Sequence, residues 1–195
     1  MNYQVPLSDM KFMLENVVDY NNLSSTNHFE DTSLETTSAI LNEAAKLAEE
    51  VLSPLQRVGD LNPAILENGV VRTSPGFSDG YKAVAEGGWI GVAANPKYGG
   101  MGLPLTIQTC VNEMMNGACL SLSLNPLMSQ GQIEALEHHA NDDIKSLYLP
   151  KLISGEWSGT MNLTEPQAGS DVGALTSKAF DKGDGSYSIS GQKIY

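Results

Sequence analysis

The chain changes its periodicity once, near Gly155, and that change limits the folds open to it. Before Gly155 apolar residues recur every three or four positions in several stretches, the spacing of an amphipathic helix. After it they alternate in twos. Leu175 to Phe180 and Tyr187 to Tyr195 carry the alternation, with Asp184-Gly185 as a hairpin signal between them, and Trp157 to Leu163 also reads as a strand. A helix hides a stripe and a half-buried strand hides every second residue. One layer cannot satisfy both patterns, so the expectation is a helical part followed by the beginning of a β domain.

Within the helical part, residues 1–31 read as a polar leader with one short helix, Ser8 to Tyr20. Phe12, Leu14, Val17 and Val18 would be its apolar side. Asp31-Thr32-Ser33 reads as a helix start, with Thr32 and Glu35 spaced as a capping box. Ile40, Leu41, Ala44, Leu47, Ala48, Val51 and Leu52 then mark the clearest helix, and Pro54 is expected to end or kink it. Residues 59–77 read as loop. Helices are expected over about Asp79 to Glu86, Leu105 to Cys119, Leu122 to His138 and Asp142 to Ile153, the last closed by Gly155. The final strand stops inside its alternation, and two or three strands cannot enclose a core. The expectation is therefore the front part of a longer protein.

Composition excludes some functions. The net charge of −12 argues against general binding to nucleic acid or to an anionic membrane, since both repel an acidic surface. No apolar run is long enough to span a bilayer, and the first residues lack the basic start and apolar run of a secretory signal. Cys110 and Cys119 fall in one helical stretch and read as core thiols, as in a reducing compartment.

Few motifs carry chemistry. The run Tyr98 to Pro104, YGGMGLP, lacks the spacing of a dinucleotide fingerprint and the Lys-Ser/Thr of a P-loop, and reads as a tight turn needing positive φ. His138-His139 has no metal partners at ligand spacing. Glu113, Glu134 and Glu137 read as solvated or capping charges on helices. The loop Gly159 to Asp171, GTMNLTEPQAGSD, is the exception. Pro166 keeps Glu165 out of the α region. Ala168-Gly169 lets main chain approach a ligand closely, and Thr164 and Ser170 offer hydroxyls. Successive N–H groups there can form an anion-binding nest, and Asp171 can brace the turn by an Asx bond. On residue types alone, a polar or phosphorylated ligand and a plain connecting turn stand about level.

The run YLPKLISGEWSGTMNLTEPQAGSDVGALTSKA, followed by GDGSYSISGQKIY, closely resembles the acyl-CoA dehydrogenase flavoprotein family. GGWIGVAANPKYGG and YGGMGLP resemble that family's helical N-terminal domain, and the T-E-P-x-A-G-S-D loop is the most specific part. The leader YQVPLSDMKFMLENV resembles the longer subgroup that includes the 3-methylmercaptopropionyl-CoA dehydrogenases. The resemblance implies a mainly α chain: an N-terminal extension over 1–32, a helical bundle over 33–155, and the first strands of an incomplete β-barrel domain over 156–195.

For function, the resemblance implies an oxidoreductase of fatty acid metabolism and β-oxidation that binds FAD. Met161, Leu163 and Thr164 would meet the flavin, with the Thr164 N–H and hydroxyl at its pyrimidine edge, where donors stabilise charge on the reduced ring. Gly169 and Ser170 would approach the FAD pyrophosphate, and Ser170 also the CoA ester. Tyr195 matches an aromatic position, often Trp, that packs on the flavin. The family reaction removes an α proton of an acyl-CoA thioester with a Glu carboxylate while a β hydride goes to flavin, and electrons pass to an electron-transfer flavoprotein. That Glu is expected beyond Tyr195; Glu165 matches a structural loop residue, leaving no catalytic residue and no metal site among these positions. A cytoplasmic homodimer or homotetramer is expected. An acyl-CoA oxidase using O2 fits the same residues. A third reading is that the isolated segment acts only as a non-catalytic helical binding or assembly module, and by itself it is expected to be inactive as a dehydrogenase.

Overall fold

The computed structural model describes residues 3–27, 29 and 32–194. The chain divides into two compact units, Met1–Gly159 and Thr160–Tyr195.

The first unit is helical. α1 (Leu7–Asn16) and the short α2 (Tyr20–Ser24) replace the single helix expected over Ser8 to Tyr20. Asp19, held in the left-handed region at φ 53°, separates them. The buried side of α1 is Met10 and Leu14, one turn apart, while Phe12, Val17 and Val18 are exposed. Tyr20 is fully buried and shares a hydrogen bond of 2.9 Å with Thr37 Oγ1, which pins the leader to α3 (Leu34–Lys46).

The α3 cap is Ser33, whose hydroxyl accepts the Thr36 N–H at 3.2 Å. The Thr32–Glu35 capping box is not the one used: Thr32 Oγ1 donates to the Phe29 carbonyl instead. Pro54, expected to end or kink the helix, does not end it. Leu47–Leu52 winds as a π-helix, and α4 (Ser53–Leu61) continues with Pro54 in its first turn. A proline has no N–H to give and its ring crowds the preceding turn. Widening that turn removes the conflict. Residues 59–77, expected as loop, include the end of α4 and an antiparallel hairpin, β1 (Ile65–Glu67) and β2 (Val70–Arg72). Asn68 and Gly69 form its turn, both at positive φ, and the Asn-Gly pair is the local signal for it.

α5 (Phe77–Glu86) leads through Gly87-Gly88 into the turn that holds YGGMGLP. This is a tight turn, as its glycines suggested. The Met101 N–H bonds the Gly91 carbonyl and the Leu103 N–H the Val92 carbonyl, each at 2.9 Å. A Cβ on Gly100 would lie 2.0 Å from the Ala94 carbonyl oxygen, so only glycine fits there. α6 (Leu105–His139) is two helices joined at Cys119, whose φ of −155° and ψ of 84° are not helical. The break falls between the two helices expected from the pattern. α7 (Asp142–Ile153) begins at Asn141, which accepts the Ile144 N–H at 2.9 Å, and ends before Gly155 at φ 74°.

Leu41, Leu52, Val84, Ile107, Val111, Met114 and Leu149 form the centre of the helical core and are almost wholly shielded from solvent. Burying side chains of this size contributes roughly 1.5–3 kcal/mol each. Cys119 is buried as expected; Cys110 is half-buried, and burial pushes its thiol pKa up. Among the described residues no helix is long and apolar enough to cross a membrane.

The second unit carries an antiparallel pair, β3 (Lys178–Asp181) and β4 (Tyr187–Ser190), with Ala179 opposite Ile189. Asp184-Gly185 lies in the connection, as the sequence indicated. Both strands are shorter than the alternation suggested, and every residue in them is exposed. Trp157 to Leu163 forms no strand, because a strand needs a partner along its length and this segment has none among the described residues.

Candidate functional site

The loop at the start of the second unit is organised by one carboxylate. Glu165, Pro166, Gln167 and Ala168 form a tight turn closed from both ends: the Glu165 N–H donates to the Ala168 carbonyl at 2.8 Å, and the Ala168 N–H to the Glu165 carbonyl at 3.0 Å. Proline at the second position presets the φ this turn needs. The Glu165 side chain then folds inward and only 1 % of it stays exposed. Its Oε1 accepts from Lys193 Nζ at 2.8 Å and from the Ser177 N–H at 3.0 Å. Its Oε2 accepts from Gln167 Nε2 at 2.7 Å, the Thr176 N–H at 2.8 Å and Thr176 Oγ1 at 2.9 Å. The Lys193 ammonium first, then the donors of Ser177, Thr176 and Gln167, hold its pKa far below the ordinary carboxylate value.

Two further braces hold the flanks. On one side Lys193 Nζ also donates to the Leu163 carbonyl at 3.0 Å, and the Ile194 N–H to the Thr164 carbonyl at 2.9 Å. On the other, Asp171 Oδ1 accepts the Gly173 N–H at 3.1 Å, the Asx bond expected of it, and starts the short 3₁₀ turn Val172–Ala174. Between these braces the ligand-type groups stay open. The Thr164 N–H and hydroxyl, the Gly169 N–H, and the Ser170 N–H and hydroxyl donate to no protein group among the described residues. Met161 and Leu163 are exposed, Gly169 and Ser170 are exposed, and Thr164 is half-exposed. A Cβ on Gly169 would meet nothing within 4 Å, so one face of the loop is empty beside that residue. Tyr195 lies outside the described residues.

The structure thus brings Met161, Leu163, Thr164, Gly169 and Ser170 onto one braced loop. Lys193, Thr176 and Ser177 are what the residue types did not reveal. They reach Glu165 across 11 to 28 positions, and no local spacing announces such a contact. The other sequence candidates lie elsewhere. Glu113 and Glu134 are exposed on α6, as are His138 and His139 at its end. Glu137 does more than face solvent: it accepts the Asn95 N–H at 2.8 Å and braces the glycine turn. Among the described residues no three His, Cys, Asp or Glu side chains gather in a way that could hold a metal ion.

A family model for the acyl-CoA dehydrogenase N-terminal domain matches residues 35–156. A 3-methylmercaptopropionyl-CoA dehydrogenase of Ruegeria pomeroyi is 38 % identical over 195 residues, all of this chain and 33 % of that protein. The chain thus spans about a third of the length of such relatives. Among solved structures, a glutaryl-coenzyme A dehydrogenase in complex with glutaryl-CoA aligns with a TM-score of 0.68 and 25 % identity, over 80 % of this chain and 38 % of that one. An acyl-CoA dehydrogenase of Bacillus anthracis complexed with FAD shares the fold at a TM-score of 0.66 and 24 % identity, over 84 % of this chain and 26 % of that one. By sequence over its whole length and by fold over most of it, this chain belongs to the acyl-CoA dehydrogenase family, as its helical N-terminal domain and the start of the β domain that follows.

Proposed function

We propose that this segment supplies the helical domain and the flavin-facing loop of an FAD-dependent acyl-CoA dehydrogenase. That enzyme desaturates an acyl-CoA thioester between its α and β carbons and passes electrons to an electron-transfer flavoprotein. The observation that carries the reading is the set of donors at Thr164, Gly169 and Ser170 that pair with no protein group among the described residues, on a loop that its own hydrogen bonds brace. A nest of free N–H groups beside an open glycine suits a pyrophosphate, and free donors at Thr164 suit the polar edge of a flavin. The residues therefore fit FAD.

The flavin supplies the hydride acceptor. This chain's residues orient it. Met161 and Leu163 would offer apolar contact to the ring, the Thr164 N–H and hydroxyl would serve its pyrimidine edge, and Gly169 and Ser170 would donate toward the pyrophosphate. Ser170 would also serve the CoA ester side, and the family resemblance would assign Tyr195 to the ring. Donors held in place by the fold in this way would need little reorganisation to stabilise negative charge on a bound flavin. Glu165 is not the general base. Five donors occupy its carboxylate and hold it unprotonated, so it has little tendency to take a proton. We place the base outside these 195 residues. The domain division is read as helical over 33–155 and β from 156, in a cytoplasmic homodimer or homotetramer.

The test is a flavin spectrum of the full-length protein, with acyl-CoA added anaerobically. A yellow protein that bleaches with substrate and reduces a dye or a flavoprotein supports the reading; peroxide formation in air would assign O2 as the oxidant. A colourless protein that cannot be reconstituted with FAD refutes it.

A further inference from the structure

We propose that Lys193 is a positioning residue for the flavin-facing edge, acting through the Leu163 carbonyl and the Glu165 carboxylate; the inference rests on the FAD reading above. One ammonium group makes both bonds, to Leu163 O at 3.0 Å and to Glu165 Oε1 at 2.8 Å. The next residue, Ile194, donates its N–H to Thr164 O at 2.9 Å. Three consecutive loop residues, 163 to 165, are thus tied to two consecutive residues of the last segment. Thr164, whose own N–H and hydroxyl donate to no group among the described residues, sits in the middle.

Lys193 is also the only residue forming an ion pair with Glu165 among the described residues. Because the Glu165 side chain is 1 % exposed and that of Lys193 29 %, solvent screens the pair little. Without the ammonium, two groups lose a partner at once. Among the described residues, the carboxylate keeps its neutral donors but no countercharge, and the Leu163 carbonyl loses its donor. The loop then relaxes at residues 163 and 164. That relaxation moves the Thr164 donors away from the place where charge develops, so the loss falls on cofactor reduction and not only on stability.

Full-length holoprotein carrying Lys193→Met, Lys193→Arg or Glu165→Gln with Lys193→Met tests this. Lys193→Met is expected to lower kcat roughly tenfold or more and to lower the flavin midpoint potential, with KM for acyl-CoA little changed. Lys193→Arg, which keeps the charge and the donors, is expected to recover most of kcat. The double variant removes the orphaned charge and is expected to recover thermal stability but not kcat, because Leu163 O still lacks its donor. If Lys193→Met lowers only the melting temperature, with kcat and potential as in the wild type, Lys193 is a structural residue and the proposal fails. Should that variant not fold, the double variant decides: wild-type kcat in it overturns the proposal and reduced kcat supports it. Wild-type protein without FAD would overturn the functional reading and this inference together, whereas a flavin-loaded wild type with an unaffected Lys193→Met variant overturns this inference alone.

Discussion

Replacing Gly169 with alanine separates what the loop does for the fold from what it does for a ligand. The new methyl would meet no atom within 4 Å, and Gly169 is not among the glycines at positive φ. The fold should therefore not notice it. The expected change in unfolding free energy of the apoprotein is within about 0.5 kcal/mol, or slightly stabilising, because alanine restricts the unfolded chain. A pyrophosphate against that main chain would notice, because the methyl occupies the approach. Losing one hydrogen bond to a charged group costs about 1.5–3 kcal/mol, which is roughly a 10- to 150-fold weaker FAD dissociation constant. The assay is paired: thermal or urea unfolding of the full-length apoprotein, and FAD titration followed by flavin fluorescence. Gly191→Ala is the control with the opposite signature. Its Cβ would fall 2.0 Å from Ser177 Oγ and 2.8 Å from Ser177 Cα, at φ 152°, so the β unit itself should lose roughly 1–3 kcal/mol. Unchanged FAD affinity in Gly169→Ala with an intact fold would refute the placement of the cofactor, and a large loss of apoprotein stability would refute the geometry of the loop.

Other expectations test the scaffold. Ser33→Ala removes the hydroxyl that caps α3 and should cost about 1 kcal/mol by urea unfolding, whereas Glu35→Ala, at the position of the unused capping box, should cost much less. Leu149→Ala opens a hole in the helical core at a side chain with no exposed surface and should cost about 2–5 kcal/mol, read as a lower melting temperature. The Glu165 carboxyl titrates far below its ordinary value of 4.5, so its stabilising contribution is complete above that value and fades as pH falls below it. Glu165→Gln should therefore flatten the acid limb of stability against pH below about 4.5, and an acid limb identical to the wild type's would contradict the hub.

The pattern of apolar residues was enough to place α5, α7, the two halves of α6 and the β3–β4 connection, because each depends on neighbours three, four or two positions away. The turn residues of Gly159 to Asp171 were enough to mark that loop as a candidate, though not to choose between a ligand and a plain turn, since glycine, proline and Asx chemistry act within a few residues. The misreadings have tertiary causes. Whether Pro54 breaks a helix depends on whether the preceding turn can widen against its neighbours, and here it does. Which face of α1 is buried depends on what it meets, and the choice fell on Met10 and Leu14. The β1–β2 hairpin was legible in Asn68-Gly69, but its strands are three residues long and fully exposed, so they lack the alternation that marks a strand.

What the sequence by itself determined was the order of layers, helices and then strands, the position of the polar loop between them, and the family to which that loop belongs. What only the tertiary structure decided was how the loop is held. Glu165, Thr176, Ser177 and Lys193 converge across up to 28 positions to satisfy one buried carboxylate. A buried charge must find countercharge and donors wherever the fold brings them within about 3 Å, and that closeness comes from chain folding in space, which no spacing along the sequence records.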